Sequence, residues 1–348
     1  MIPIRNIYHM LTYYFETLDS DGYHDMAGER FDNTADLFAA IMIRGLLRLA
    51  KQGLRNEYRR TTEPLMTVRG RIDMVQSMRP RNAISKRLVC EYDVFCNDTD
   101  MNRIIKSATI LLTHADIRPD RNRQLHRLLD CFSDVSTVDL RQVDWRFRFD
   151  RNNQTYRMLL GICWFIAKGL LPGPGTGAPR LMNFLDDKRM SHLYEKFILS
   201  YYQHEYPQAT TTSAYIDWDV IADDPWLPVM HSDVCMTYAG RILLLDAKYY
   251  SHTMQQRFGK ETLHSSNLYQ IFTYVKNKAS KEHLGNAVSG LLLYAKNDDG
   301  IVLGSEYTMG GNLIAARTLD LNLPFPQIVS QLDDIANRYL RLSKSSAH

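Results

Sequence analysis

The chain has 348 residues, 45% of them hydrophobic and 23% charged, an ordinary globular balance that excludes a disordered or low-complexity chain. Its formal charge is only +3, too mild to argue a nucleic-acid binder from the total alone, and its length suggests about two domains. No apolar run approaches the ~18 residues needed to span a bilayer, and five dispersed cysteines without a CxxC pair read as thiols of a reducing cytoplasm. The opening MIPIRNIYHMLTYYF carries an early Arg5 and no small-residue cleavage site, so it is not read as a signal peptide.

In chain order, residues 2–18 and 35–51 repeat apolar residues at helical spacing, with Asn33 or Thr34 placed to cap the second helix. Residues 55–87 then turn irregular, strand-like in short pieces, and basic: nine Lys or Arg stand against three acidic residues, a net of +6. That density favours a protruding contact hairpin over a solvated face. Helical pattern returns over 100–115, 121–132 and 156–169. The stretch LPGPGTGAP, Leu171 to Pro179, can hold neither helix nor central strand. It is read as the linker between an N-terminal domain, 1–175, and a C-terminal domain, 180–348.

Beyond the linker, 190–206 is expected as a helix and 214–220, 229–238 and 241–250 as strands. A helix over 261–278, an apolar strand over 287–295 and a closing helix over 325–342 follow. This order predicts an α/β class (α+β overall): a mixed central sheet flanked by helices, preceded by a mostly helical domain with a basic β-like protrusion.

The most informative stretch is HSDVCMTYAGRILLLDAKYY, His231 to Tyr250. Ala239-Gly240 suits a two-residue type I′ hairpin turn, and a register symmetric about it sets Asp233 directly opposite Asp246, their Cβ atoms roughly 5 Å apart. Lys248, two residues on, shares a face with Asp246. Opposed like charges destabilise a sheet unless something binds between them. A hard divalent ion such as Mg²⁺ accepts such oxygens and keeps waters for a phosphate. Lys248 would favour a hydroxide or a developing phosphorane charge, so metal-assisted phosphodiester hydrolysis suits the set. On spacing alone, a solvated salt bridge of Lys248 with the two carboxylates stands equally, although the run Leu243-Leu244-Leu245 speaks for a strand buried on both faces.

At these residues the sequence resembles the PD-(D/E)XK nuclease superfamily: Asp233 on one strand, the triplet Asp246-Ala247-Lys248 on the next, with Ser232 where the motif has proline. Gln270 and Tyr274 in NLYQIFTYV resemble the Q-x-x-x-Y element of RecB-like members, and Glu195 in MSHLYEKF matches the acidic residue of the first core helix that supports the metal. Further, IPIRNIYHMLTYYF, VRGRID (Val68 to Asp73), DTDMNRIIKSAT (Asp98 to Thr109) and LLLDAKYY followed by HSSNLYQ resemble, in order, the McrC family of nuclease subunits of McrBC-type modification-dependent restriction systems.

The resemblance implies a Mg²⁺-dependent DNA endonuclease domain with Asp233, Asp246, Lys248, Gln270 and Tyr274 as catalytic residues and Asp233, Asp246 and Glu195 as metal ligands. It also implies an N-terminal domain that docks on a hexameric McrB-like AAA+ GTPase and stimulates it, with Arg69 and Arg71 of the basic segment at the contact. The partner, not this chain, would recognise modified cytosine in double-stranded DNA; no GxxxxGK[ST] phosphate loop occurs here. Two alternatives remain: a stand-alone RecB-like repair or processing nuclease, and a non-catalytic regulatory subunit of an NTPase. The histidines show no zinc-ligand pairing with cysteine. His231, two residues before Asp233, is expected on the same strand face.

Overall fold

The computed structural model describes residues 2–15, 18, 26, 28–79, 84–149, 154–170, 187–220, 226–249, 255–257, 260–296 and 302–344. The chain forms two compact units, one of Met1–Phe31 with Asn183–His348, the other Asp32–Met182. The expected division at 175/180 therefore misplaces the chain start. The first helix, α1 (Ile4–Tyr14), belongs with the C-terminal unit. The physical reason is a set of long-range contacts: buried Asn6 donates its amide hydrogens to the carbonyls of Leu321 and Leu323, both at 2.8 Å, and His9 stacks on Phe325. The linker 171–179 lies outside the described residues.

The middle unit opens on α2 (Thr34–Gln52), capped by the Asn33 side chain accepting from the Asp36 amide. Asp36 is fully buried and ion-paired to Arg121, which fixes α2 to a later helix. Strands β1 (Glu57–Leu65), β2 (Arg71–Ile72) and β3 (Leu88–Cys96), with the one-turn α3 (Met74–Ser77) between β2 and β3, form an antiparallel ribbon in the order β1-β3-β2. β1 is mostly exposed, yet it pairs with β3 without a break from Glu57↔Cys96 to Leu65↔Leu88, so the basic segment is a regular ribbon rather than an irregular chain. Helices α4 (Asp100–Thr113), α5 (Pro119–Leu129) and α6 (Gln154–Leu170) complete the unit. Gly45 lets α2 meet α6 closely, since a Cβ there would sit 2.4 Å from Leu159 Cδ2.

The other unit continues with α7 (Asp187–Glu205), β4 (Thr210–Thr212), β5 (Tyr215–Ile216), β6 (Met230–His231), β7 (Val234–Tyr238) and β8 (Arg241–Lys248). Then come β9 (Gln255–Arg257), β10 (Lys260–Thr262), α8 (Ser265–Lys281), β11 (Val288–Ala295), β12 (Gly304–Met309), β13 (Asn312–Leu319) and α9 (Phe325–Leu340). Its six-stranded sheet has the order β12-β13-β11-β8-β7-β4. β11 runs parallel to β8 and β13 and the other pairings are antiparallel, the mixed sheet expected. One face, with Leu244, Leu292 and Ile314, packs on Ile271 and Val275 of α8. Among the described residues no helix is long and apolar enough to cross a membrane.

Candidate active site

The hairpin β7–β8 carries the expected register: Val234 pairs with Leu245 and Tyr238 with Arg241 across a turn in which Ala239 and Gly240 both have positive φ, 46° and 75°. Such a turn matches the twist of the flanking strands, and the glycine relieves one of its two left-handed positions. Continued one step, the register sets Asp233 against Asp246, but the backbone ladder stops at Val234. Instead the Asp233 side chain completes it, Oδ2 accepting the Ala247 amide at 2.8 Å.

The expected single strand 229–238 is broken at Ser232. Before the break Met230–His231 pairs with β5; after it Val234–Tyr238 pairs with β4 and β8. Ser232 makes the exchange, donating its amide to the Ala214 carbonyl at 3.0 Å while its own carbonyl accepts from Ser213 Oγ. The break also corrects the expectation for His231. Strand alternation does not carry across it, and the exposed imidazole packs on the Tyr215 ring of a separate two-stranded sheet.

Asp246 is 2% exposed, on the same sheet face as Leu244 and Lys248 by alternation. Its Oδ2 receives no aligned hydrogen bond, and the Lys248 ammonium lies against it at 2.6 Å. Lys248 in turn donates to Gln270 Oε1 at 3.4 Å, and Gln270 Nε2 donates to the Tyr274 hydroxyl at 2.9 Å. Helix α8 thus presents Gln270 and Tyr274, one turn apart, as a relay that holds the lysine. Glu195, half-buried on α7, accepts from Ser191 Oγ at 2.9 Å. Burial raises its carboxyl above the ordinary range; Ser191 and then the Lys248 charge oppose the rise, and Asp246 adds to it.

The electrostatics of Asp233 follow. Burial first, then the charges of Asp246 and Glu195, push its carboxyl up to about 8 against the pull of the Ala247 amide and Lys248. The carboxyl groups of Asp233, Asp246 and Glu195 act on one another against the Lys248 ammonium and, at Glu195, that of Lys196, a surplus of negative charge that a cation relieves. Among the described residues no three His, Cys, Asp or Glu side chains converge as a ready-made metal cage. A Mg²⁺ site does not require one: the ion is commonly held through one or two carboxylates, with waters and substrate phosphate filling the octahedron. Asp246 Oδ2, met by the Lys248 ammonium alone, and Asp233 opposite, once its proton has left, fit such an ion.

The geometry therefore gathers Asp233, Asp246, Lys248, Gln270, Tyr274 and Glu195 in one unit. Arg69 and Arg71 lie in the other. Arg69 is exposed with its guanidinium 4.2 Å above the Tyr92 ring, and Arg71 pairs with Glu91 across β2–β3. Between them Gly70 has φ +66°, and a Cβ there would stand 2.4 Å from the Glu91 carbonyl oxygen. Two supporting groups escaped sequence reasoning. Ser191 sits one turn before Glu195, a spacing that was readable; the Ala247 amide was not, because only the break at Ser232 frees Asp233 to reach it.

Comparison with known proteins shows the family of the chain. Residues 5–295 match the family model described as McrBC 5-methylcytosine restriction system component. The Type IV methyl-directed restriction enzyme EcoKMcrBC of Escherichia coli (strain K12) is 32% identical over 98% of this chain and 99% of that protein. A chain in the refined half-complex from the tetradecameric assembly of Thermococcus gammatolerans McrB AAA+ hexamers with bound McrC shares the fold at a TM-score of 0.51 and 17% identity, covering 97% of this chain and 75% of that one.

Proposed function

The chain belongs to the McrBC 5-methylcytosine restriction system component family, and from that premise we propose that it is the nuclease subunit of a McrBC-like complex, a Mg²⁺-dependent DNA endonuclease and the activator of a McrB-like AAA+ GTPase hexamer. The observation that carries the nuclease reading is the opposed pair Asp233–Asp246 with Lys248 against its buried member. Asp246 is 2% exposed and its Oδ2 meets only the Lys248 ammonium, a buried ion pair set beside two further carboxyl groups, which is costly unless the cluster binds something.

Asp233 and Asp246 would hold the ion, with Glu195 behind them through water. The bound ion supplies Lewis acidity and a lowered pKa for water at a phosphodiester. The chain's own groups do the rest. Lys248, kept in place by Gln270 and Tyr274, presents a positive charge where the phosphorane oxygens develop charge, worth about 10²–10³ in rate for groups of this kind. Asp233, with a carboxyl near 8 in the metal-free chain, gives up its proton as the ion binds. Buried Leu244, on the same sheet face two residues before Asp246, lines that face with apolar surface.

The ribbon β1–β3, with exposed arginines and exposed Met66, Val68 and Val75, suits the contact with the GTPase ring, and recognition of modified cytosine in duplex DNA would reside in that partner. The test is cleavage of methylated DNA by the purified chain with Mg²⁺, the GTPase and GTP, each omitted in turn. Cleavage that needs all components supports the assignment. Robust double-strand cutting by the chain alone favours a stand-alone processing nuclease, and GTPase stimulation without any cleavage favours a regulatory subunit.

A further inference from the structure

The exposed ribbon is anchored at its base by a cluster of polar groups that the nuclease site does not use. Asn102, wholly buried in the first turn of α4, donates both amide hydrogens to backbone: to the Arg55 carbonyl at 2.9 Å, just before β1, and to the Asn97 carbonyl at 2.7 Å, just after β3. Its Oδ1 accepts the Tyr156 hydroxyl proton at 2.7 Å, and the same hydroxyl oxygen accepts the Arg55 amide at 2.8 Å. One buried amide from α4 and one phenol from α6 therefore hold both feet of the ribbon.

Asp98 adds a second layer. Arg103 of α4 grips it with two donors, Nε to Oδ1 at 2.8 Å and Nη2 to Oδ2 at 2.7 Å. Arg59, the third residue of β1, reaches the same carboxylate at 3.0 Å, and Ser136 donates to it from amide and hydroxyl. These donors hold the Asp98 carboxyl well below the usual range. Beyond this base β1 and β3 pair over nine residues, from Glu57↔Cys96 to Leu65↔Leu88, a lever of about 30 Å at ~3.3 Å per residue. A small rotation at the feet is a large displacement at the tip, so an exposed ribbon of this length needs no such clamp unless its direction matters. Buried hydrogen-bond networks of this kind rigidify one arrangement.

We propose that Asp98, Asn102 and Tyr156 are positioning residues that fix the direction of the ribbon, so that docking on the GTPase ring is coupled to stimulation of GTP hydrolysis. This rests on the partner reading given above. It separates two properties: the ribbon surface binds, and the clamp aims what is bound.

The experiment uses the full chain with Tyr156→Phe, which deletes one hydroxyl and leaves the Arg55 amide and Asn102 Oδ1 unpaired, and with Asp98→Asn as a second variant. With exposed Cys131 and half-buried Cys96 replaced by serine, spin labels at Met66→Cys, beyond the end of β1, and Gln124→Cys, on α5, report the ribbon direction without any partner. Ring affinity and maximal GTPase stimulation are measured separately, with thermal melting alongside. The expected result is a broadened label distance in both variants, maximal stimulation down at least about tenfold, since each unpaired group costs about 1–3 kcal/mol, and ring affinity within about threefold. An unchanged distance distribution overturns the clamp. Unchanged stimulation at saturation, or affinity falling in step with stimulation, overturns the coupling. A wild-type chain that leaves GTP hydrolysis unchanged overturns the partner reading and the coupling with it, while the spin-label distances still decide the clamp.

Discussion

Protons and Mg²⁺ compete for Asp233, and the competition has a calculable size. With its carboxyl pushed up to about 8 by burial, Asp246 and Glu195, the group is about half ionised at pH 8 and about 1% ionised at pH 6. The proton must leave before the cation binds, so Mg²⁺ affinity should weaken about 50-fold, roughly 2.3 kcal/mol, between those two values. Above pH 9 the curve should flatten. An Asp at its ordinary value would be ionised throughout and give no slope. In the metal-free chain the sign is that of a carboxyl raised on folding: the fold retains the proton longer than the unfolded chain, so this group's contribution is greatest below about pH 4 and is lost as pH rises toward 8. Replacing Asp246 with Asn removes the second-largest cause. At roughly 5 Å and an effective dielectric near 20 that charge is worth about 3 kcal/mol, or ~2 pK units, so the Asp233 midpoint should fall toward 6. Calorimetric Mg²⁺ titration across pH 6–9, with proton release read from buffers of different ionisation heat, and carbon NMR of the Asp233 carboxyl in Asp246→Asn measure both. Mg²⁺ binding that is flat over this range, or equally steep in Asp233→Asn, refutes the reasoning.

Further outcomes follow from the same contacts. Asp246→Ala should reduce DNA cleavage at least about 10²-fold while GTPase stimulation persists, because the carboxylate and the ribbon lie in different units; full cleavage by this variant ends the nuclease assignment. Lys248→Met should lower maximal cleavage by about 10²–10³ with DNA affinity little changed, and Gln270→Ala less, since Gln270 acts on the site through its bond with the lysine. Reversing charge at Arg69 and Arg71 should weaken GTPase stimulation while changing stability by no more than about 1 kcal/mol per exposed charge, which urea unfolding checks. Arg121→Ala should cost about 3–5 kcal/mol, because it strands Asp36, fully buried, without its cation; a melting temperature within 2 °C of wild type, read as order of magnitude, would contradict that burial.

Much of the fold was legible because amphipathic periodicity and turn chemistry are local. Asn33 capping α2, the Ala239-Gly240 turn and the apolar strand at 288–295 each follow from a few neighbouring side chains. The failures share a different cause. α1 reads as a packed helix, but periodicity does not say against what, and its docking depends on Asn6 meeting carbonyls more than three hundred positions away. The ribbon was read as short irregular pieces because β1 is exposed over most of its length, so the alternation that betrays a strand is absent. The β12–β13 hairpin across Gly310-Gly311 was missed for a related reason: β12 is an edge strand, mostly exposed, and only β13 carries buried residues.

The site divides along the same line. That Asp233 opposes Asp246 is arithmetic on a two-residue turn, and that Lys248 joins them is alternation; both needed only the hairpin. What sequence could not supply is why Asp233 is free to act. Had 229–238 run as one strand, Asp233 would have paired through its backbone as one more rung. The exchange of partners at Ser232 ends the ladder at Val234 and turns the Asp233 carboxyl onto the Ala247 amide. There it sits between burial and two further carboxyl groups, with its proton held to about 8. A side chain substituting for a rung of the sheet is a long-range consequence of Ala214 and Ser213 capturing Ser232. Loosening that capture should therefore act on Asp233. Ser213→Ala removes the hydroxyl bond to the Ser232 carbonyl, one part-buried hydrogen bond worth about 1 kcal/mol, and leaves every carboxylate in place. If the break positions Asp233, the variant should weaken Mg²⁺ binding several-fold with little change in melting temperature; unchanged binding would mean that β7 and β8 alone hold the carboxyl where it is.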